Sequence, residues 1–391
     1  MRNTKQKTVA LLGSTGSVGV NTLQVIEQHP KHFKVVGLAA GSNWELLKRQ
    51  TERFAPSAVY LDEADSIKNL KSDGKNQKPK FFSKKEGLRT FAAYLDADIL
   101  MVATSGTLAL HAVLDALKKG KRVALANKEI LVMAGDLIMR VLKENPQSSL
   151  IPVDSEHNAI FQCLEKDVIE NVQKIYLTSS GGPLRQVQKK EFATLTKEMV
   201  VNHPKWRMGH KISVDSATMM YKGLEGIEAS CLFGLPVEQI EVLVHPEAVI
   251  HSMVEFKDGA VLAQLGVTDM RLPIQYALSY PARLQVNADR RLDFAKLSQL
   301  TFHEPDKDKF PCLGIAYTAA KNAGSEPCVL SAADEVAVHA FLNDKIKFIE
   351  IPKVVEKVLS RHSRIHKPDL AQIESAHSWA IEETKKLCQA H

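Results

Sequence analysis

Thr8-Val9-Ala10-Leu11-Leu12 followed by Gly13-Ser14-Thr15-Gly16-Ser17-Val18-Gly19 is the stretch whose reading decides the fold. The apolar run 8–12 reads as a strand, and the glycine loop opens a helical pattern over 19–28. Glycines at this spacing let the backbone turn sharply and approach a pyrophosphate, whose charge then rests on the helix N-terminus. The spacing is GxxGxxG, which taken alone also suits a tight turn with no ligand. Its place after the first strand and before the first helix is the context a dinucleotide loop requires.

The same alternation continues outward. Strand patterns over 33–39, 57–61, 99–103 and 122–126 are interleaved with helical patterns over 43–54 and 108–118. This predicts an α/β fold with an N-terminal doubly wound, Rossmann-like parallel sheet occupying residues 1–150. Beyond residue 150 the texture changes. Strand-like runs at 174–178, 240–244 and 261–265 lie among long polar or glycine-containing connections. They predict a central α+β catalytic domain over 151–279 that carries its chemistry on loops. An irregular, proline-containing linker follows over 280–311. A C-terminal helical domain over 312–391 has helical patterns at 313–322, 332–343, 352–361 and 370–387. Ser331 followed by Asp334 reads as a capping signal for the second of these.

Composition narrows the partners. The 391 residues are 45% hydrophobic and 25% charged, with a formal net charge of +6. That is ordinary for a soluble protein of more than one domain. The modest positive excess suits anionic small molecules. The basic residues are spread out, and the densest group, over 68–85, is a polar loop by composition, so neither nucleic acid nor membrane is expected as a partner. The five cysteines, Cys163, Cys231, Cys312, Cys328 and Cys388, include no CxxC pair. They read as buried thiols in a reducing compartment. The apolar run at 9–12 is too short for a signal peptide, and a cytoplasmic location is expected.

The second strand speaks to the cofactor. NAD enzymes carry an Asp or Glu near its end to accept the adenosine 2′-hydroxyl. Here it ends in Ala39-Ala40-Gly41-Ser42-Asn43, where a 2′-phosphate meets no repulsion and Ser42 and Asn43 offer hydrogen bonds. NADPH is favoured over NADH.

Three stretches carry candidate chemistry. In Val153-Asp154-Ser155-Glu156-His157, residues two apart on an extended segment point the same way, so Asp154 and Glu156 can converge on one ion. Two carboxylates without a nearby cysteine pair are hard ligands suited to Mg²⁺ or Mn²⁺, although a solvated strand end also produces DxE. Ser216 to Glu225 brings together hydroxyls, Lys222 and a third carboxylate. Lys222 and Glu225 share a face if helical, as a phosphate-binding site or as a plain surface ion pair. Asn127-Lys128-Glu129 follows a strand end where open α/β sheets bind ligands, placing a loop lysine near cofactor and substrate; a charged helix start is the alternative. His203-Pro204-Lys205-Trp206-Arg207-Met208-Gly209 has the composition of a lid. Trp206 alone could equally anchor a core, and His245 and His251 fit structural roles.

In order along the chain, GSTGSVG (13–19), LANKE (125–129), PVDSEHNAIFQ (152–162), SSGGP (179–183), HPKWRMGHKISVDSATMM (203–220), KGLEGIEA (222–229) and HPEAVIHSM (245–253) resemble the 1-deoxy-D-xylulose 5-phosphate reductoisomerase family. The resemblance implies cofactor contacts from Thr15, Gly16, Ser17, Val18, Gly41, Ser42, Asn43, Asn127, Glu129 and Gly209. It implies Asp154, Glu156 and Glu225 as metal ligands, which with Lys128 form the catalytic set. Substrate contacts are implied for Lys128, Ser155, Glu156, Ser180, His203, Ser216, Lys222 and Glu225, with Trp206 and Met208 in a flap near 203–209. It further implies NADPH-dependent rearrangement and reduction of the sugar phosphate in isoprenoid precursor synthesis, by a homodimer.

Four positions depart from the family pattern. Tyr221, bordering the expected substrate pocket, and Ala248 stand where Asn and Ser are usual. Ser331 and Asp334 replace typical asparagines. Two other readings stay open on these grounds: an NADPH oxidoreductase acting on another phosphorylated carbonyl compound, and a weakly catalytic NADPH-binding protein.

Overall fold

The computed structural model describes residues 6–70, 79–164, 169–201, 209–287 and 290–389. The chain runs through β1 (Lys7–Leu12), α1 (Ser17–Gln28), β2 (Phe33–Ala40), α2 (Trp44–Phe54), β3 (Ala58–Leu61), α3 (Ile67–Leu70), β4 (Lys80–Ser83) and α4 (Leu88–Tyr94). It continues with β5 (Ile99–Val102), α5 (Leu110–Lys118), β6 (Arg122–Leu125), α6 (Lys128–Glu144), β7 (Ser149–Pro152), α7 (Ser155–Cys163), β8 (Val172–Ser179) and α8 (Lys197–Val201). Then come α9 (His210–Thr218), α10 (Met220–Phe233), β9 (Ile240–Val244), β10 (Ile250–Phe256), β11 (Val261–Leu265) and α11 (Arg271–Ser279). Four helices close it: α12 (Pro311–Asn322), α13 (Glu326–Leu342), α14 (Ile351–Arg361) and α15 (Leu370–Gln389).

Two compact units result, and neither is a single contiguous segment. The first comprises residues 1–130, 138–158 and 269–291; the second comprises 131–137, 159–268 and 292–391. The stretch carrying α11 therefore groups with the N-terminal strands and not with residues 159–268.

The first unit holds a seven-stranded sheet in the order β4-β3-β2-β1-β5-β6-β7. Every pairing in it is parallel. Val9, Ala10, Leu11 and Leu12 are all buried, as are all four residues of β3 and of β5. Such unbroken apolar strands are what a sheet covered on both faces requires. The strand order reverses at β1, between β2 and β5, and the glycine loop lies at that switch point, where doubly wound sheets bind their ligands.

The second unit holds a four-stranded mixed sheet in the order β11-β10-β8-β9. Strand β10 was not foreseen, although Ile250, Ser252 and Val254 are buried and alternate with half-exposed neighbours in the period of a one-sided strand. The core of this unit joins Ile175, Leu177 and Val254 from the sheet to Leu224, Leu313, Val329 and Val355 from the helices. In α14 the buried Ile351, Val354, Val355 and Val358 recur at helical spacing. The cap expected at Ser331 and Asp334 is absent. Both residues are buried inside α13, which begins at Glu326 with Pro327 in its first turn. Proline fits the start of a helix because the N–H it lacks is unused there.

Candidate active site

In the first unit the glycine loop is shaped by two close approaches. Gly13 has φ +87°, and a Cβ there would lie 2.4 Å from the Ala103 carbonyl oxygen. A Cβ on Gly19 would lie 2.1 Å from the Gly13 oxygen. These two glycines are sterically required, whereas Gly16 has room. The amides of Gly13 and Ser14 donate to Ala39 O at 2.9 and 2.8 Å, and Gln50 Nε2 donates to Ser14 O at 2.9 Å, which fixes the loop. Helix α1 starts at Ser17 behind Gly16 with no side-chain cap, so its first amides face outward uncapped. That is the arrangement an anion seeks.

Gly41, Ser42 and Asn43 follow β2 and are exposed. Asn43 caps α2, accepting from Leu46 N at 3.1 Å. Two acidic residues follow the neighbouring strand β3, and both are engaged: Asp62 accepts from the Tyr60 hydroxyl at 2.7 Å and Glu63 from the Ser66 hydroxyl at 2.9 Å. Asn127 is buried as the cap of α6: its amide nitrogen donates to Thr104 O and Gly106 O at 2.7 and 2.6 Å, and its oxygen accepts from Ile130 N. Its side chain thus braces the loop after β5.

Lys128 is not on a loop, as expected from sequence, but is the first residue of α6. Strands β6 and β7 pair Leu125 with Pro152, so the residues just beyond them lie side by side. Lys128 Nζ sits 2.6 Å from Asp154 Oδ2, and both residues are more than nine-tenths buried. The segment carrying Asp154 is also not extended. Ser155 begins α7 and Glu156 lies in its first turn, which accepts acidic residues because the amides there point outward. The two carboxylates still approach, with oxygens within 4.8 Å. Ser155 donates to Glu156 Oε2 at 2.5 Å.

In the second unit Ser180 follows β8 and leads into Gly181 and Gly182, both at positive φ. A Cβ on Gly182 would lie 2.5 Å from the Ser216 carbonyl oxygen, so this loop lies flat against the end of α9. Met219, at φ 60°, breaks the helix between Ser216 and Lys222. On α10, Lys222 Nζ and Glu225 Oε2 are 2.6 Å apart, with side chains only 6% and 0% exposed. This is no surface ion pair: both charges are withdrawn from water, so removing either one is costly. Tyr221 is half-buried, and Lys222 Nζ lies 5.7 Å from the centre of its ring. Ala248 adopts φ +55°.

Gly209 is exposed at the start of α9. His203, Trp206 and Met208 lie outside the described residues. His245 is structural: fully buried, its Nδ1 is 2.9 Å from Thr301 O, and its Nε2 accepts from Val249 N and Ile250 N. The five cysteines form no disulfide.

Three family models match in succession: 1-deoxy-D-xylulose 5-phosphate reductoisomerase over residues 9–135, its C-terminal domain over 150–233, and the DXP reductoisomerase C-terminal domain over 265–383. A reductoisomerase of that name from Pelodictyon phaeoclathratiforme is 47% identical over 97% of this chain and 99% of its own. The chain belongs to the 1-deoxy-D-xylulose 5-phosphate reductoisomerase family. Another reductoisomerase, from Pelotomaculum thermopropionicum, is 46% identical over 96% of each chain. Among solved structures, the reductoisomerase of Zymomonas mobilis in complex with NADPH superposes with a TM-score of 0.92 at 41% identity, covering 99% of this chain and 100% of that one. A reductoisomerase in complex with NADPH, fosmidomycin and magnesium gives 0.90 at 37% identity over 98% of each chain.

The buried cluster of Lys211, Asp215 and Asp334 in the second unit was not foreseen as a unit. Asp334 matches a capping pattern in sequence, and the two halves of the cluster are far apart along the chain.

Proposed function

We propose that the protein rearranges and reduces 1-deoxy-D-xylulose 5-phosphate to 2-C-methyl-D-erythritol 4-phosphate with NADPH and a divalent metal, Mg²⁺ or Mn²⁺. The observation that carries this reading is the pair of buried lysine–carboxylate contacts, Lys128 with Asp154 and Lys222 with Glu225, in a chain that matches the family along nearly its whole length. Reductoisomerase structures with NADPH and with magnesium support the choice of cofactors.

The uncapped start of α1 and the glycine loop suit the pyrophosphate of NADPH, with Thr15, Gly16, Ser17 and Val18 around it. Gly41, Ser42 and Asn43 suit the 2′-phosphate, and Asn127, Glu129 and Gly209 the remainder of the cofactor. Asp154, Glu156 and Glu225 are the metal ligands in this reading: an all-oxygen, all-carboxylate set is the donor chemistry of Mg²⁺ and Mn²⁺. When bound, the ion supplies Lewis-acid polarisation of the adjacent carbonyl and hydroxyl oxygens of the substrate, and NADPH supplies hydride. The chain's own residues do the rest. Ser180, Ser216, Tyr221 and Lys222 bind the phosphorylated end, joined by His203. Lys128, Ser155 and Glu156 hold the reacting end in position. Trp206 and Met208 belong to a flap that closes over the substrate and excludes water.

In this reading residues 1–150 bind NADPH, 151–279 bind metal and substrate, 280–311 connect, and 312–391 form the C-terminal helical domain. We also propose a cytoplasmic homodimer. The free cysteines support a reducing compartment. Val261 and Leu262, about half exposed on the edge strand β11, support a second copy of the chain covering that edge. No helix among the described residues is long and apolar enough to cross a membrane.

The test is NADPH absorbance decay with deoxyxylulose phosphate and Mn²⁺, with and without a chelator, and with a phosphonohydroxamate inhibitor. Metal-dependent, inhibitor-sensitive oxidation of NADPH is expected. Tyr221 favours one second reading, an NADPH oxidoreductase on another phosphorylated carbonyl compound. That reading predicts metal and NADPH binding with little turnover of deoxyxylulose phosphate.

A further inference from the structure

The buried cluster in the second unit holds more carboxylate than its single lysine can neutralise. Lys211 Nζ lies 2.5 Å from Asp215 Oδ2 on α9 and 3.1 Å from Asp334 Oδ2 on α13. The side chains of Asp215 and Asp334 are 2% and 0% exposed. Among the described residues Asp215 Oδ1 and Asp334 Oδ1 meet no donor, and the two carboxyl groups converge on the same ammonium. Two carboxylate oxygens facing each other away from water repel unless a proton lies between them. With one proton, the cluster carries one ammonium, one carboxylate and one neutral acid, and its net charge is zero.

We infer that Asp215 and Asp334 share one proton, and that this proton, together with Lys211, positions α9 and hence Ser216. Desolvation first, and the charge of Asp334 second, push the Asp215 carboxyl well above the usual carboxylate range, while Lys211 opposes them. The other elements packed on α9 add little charge. α12 presents the Cys312 thiol, itself pushed up by burial and by Asp334. On α8, Lys197 is paired with Asp344 and Glu198 with Thr196. On α10, Lys222 is paired with Glu225, and Glu228 faces Cys231. An asparagine at 334, the residue the family resemblance leads one to expect, would offer an amide donor at any pH. Aspartate can donate there only while it holds a proton.

Asp215 and Asp334 are positioning residues. Ser216 follows Asp215 directly, and its carbonyl packs on Gly182 of the loop after Ser180. The link to Ser216 rests on the substrate contact proposed above; the proton itself does not. A carboxyl raised in the folded state stabilises the fold below its unfolded-state value, and that contribution is lost as pH rises through the folded value. Raising the pH through that folded value therefore removes the proton, sets two buried charges against each other and loosens α9.

The experiment compares wild type with Asp334→Asn and Asp215→Asn in three ways. Infrared difference spectra should show a protonated carboxyl band in wild type that both variants lack. Thermal unfolding followed from acidic to alkaline pH should fall more steeply for wild type than for Asp334→Asn. The KM for deoxyxylulose phosphate should climb with rising pH in wild type, by up to about tenfold per pH unit once the proton is gone. Asp334→Asn should flatten that climb, with kcat and NADPH KM little changed. Absence of the band, or unfolding profiles that coincide, would overturn the shared proton. A band with identical KM profiles in the two proteins would overturn its link to Ser216. Neither of the first two readouts depends on turnover, so an enzyme that proves to use another substrate leaves the proton test intact.

Discussion

Glu225→Gln separates the metal site from the fold. In the metal-free protein the Glu225 carboxylate is the countercharge of a Lys222 ammonium that is only 6% exposed, at 2.6 Å. Glutamine keeps the shape and one acceptor oxygen but takes away the charge that faces that ammonium. Removing one partner from a buried pair costs about 3–5 kcal/mol, and the retained hydrogen bond returns roughly 1 kcal/mol of it. The metal-free variant should therefore melt several degrees lower than wild type. Metal acts in the opposite direction on wild type: Mn²⁺ at about a hundred times its Kd should stabilise the fold by about 2.7 kcal/mol. The variant has lost one of three carboxylate ligands, so it should show little of that gain, while the rise in Tm produced by NADPH is kept. The assay is thermal unfolding with and without Mn²⁺ and NADPH, alongside NADPH oxidation. An Mn²⁺ shift equal to that of wild type, with normal turnover, would refute the assignment of Glu225 as a ligand.

Ser42→Asp places a carboxylate on the exposed end of β2 and should shift cofactor preference from NADPH toward NADH; a wild type that uses both equally would contradict the reading of 41–43. Lys128→Met removes the buried cation 2.6 Å from the Asp154 carboxylate and should cost up to about 3–5 kcal/mol in a urea titration of the metal-free protein. Added Mn²⁺ should recover part of that loss, and a chelator should abolish the recovery. Gly182→Ala needs room that the Ser216 carbonyl occupies, besides an unfavourable φ of +68°. It should raise KM for the sugar phosphate far more than KM for NADPH. Tyr221→Asn restores the compact amide usual in the family and should lower KM for deoxyxylulose phosphate; a fall in activity would show a pocket rebuilt around the tyrosine.

What the sequence displays well is whatever depends on local pattern. The strand–glycine–helix opening is legible because Gly13 and Gly19 meet a carbonyl that no Cβ could approach, so their types report the backbone directly. The buried apolar runs of β1, β3 and β5 show the parallel sheet for a similar reason. Lys222 and Glu225 are legible as a pair because helical spacing puts them on one face. Strand β10 is harder to read although its alternation is plain, since His251, Ser252 and Glu255 interrupt the apolar run with polar side chains. The start of α13 was set too late because Ser331 and Asp334 match a capping pattern while being buried. A side chain that binds a distant helix and one that caps its own look alike in a single sequence.

That ambiguity bears on function as well as on fold. Asp334 in isolation is an acidic residue in a helical pattern, and only the contact with Lys211 and Asp215, more than a hundred positions away, turns it into a charge problem. Tyr221 poses the converse case. Its departure from the family is visible at once, but its effect depends on whether the ring that approaches Lys222 leaves the ammonium free to reach a phosphate. A cation at the face of an aromatic ring retains attraction of about 0.5–2 kcal/mol, weaker than its pairing with a doubly charged phosphate in a dry site. The substrate should therefore win Lys222 from the ring, at the expense of some affinity. Raised KM with an intact reaction is then the outcome consistent with both the departure and the kept lysine–carboxylate pairs.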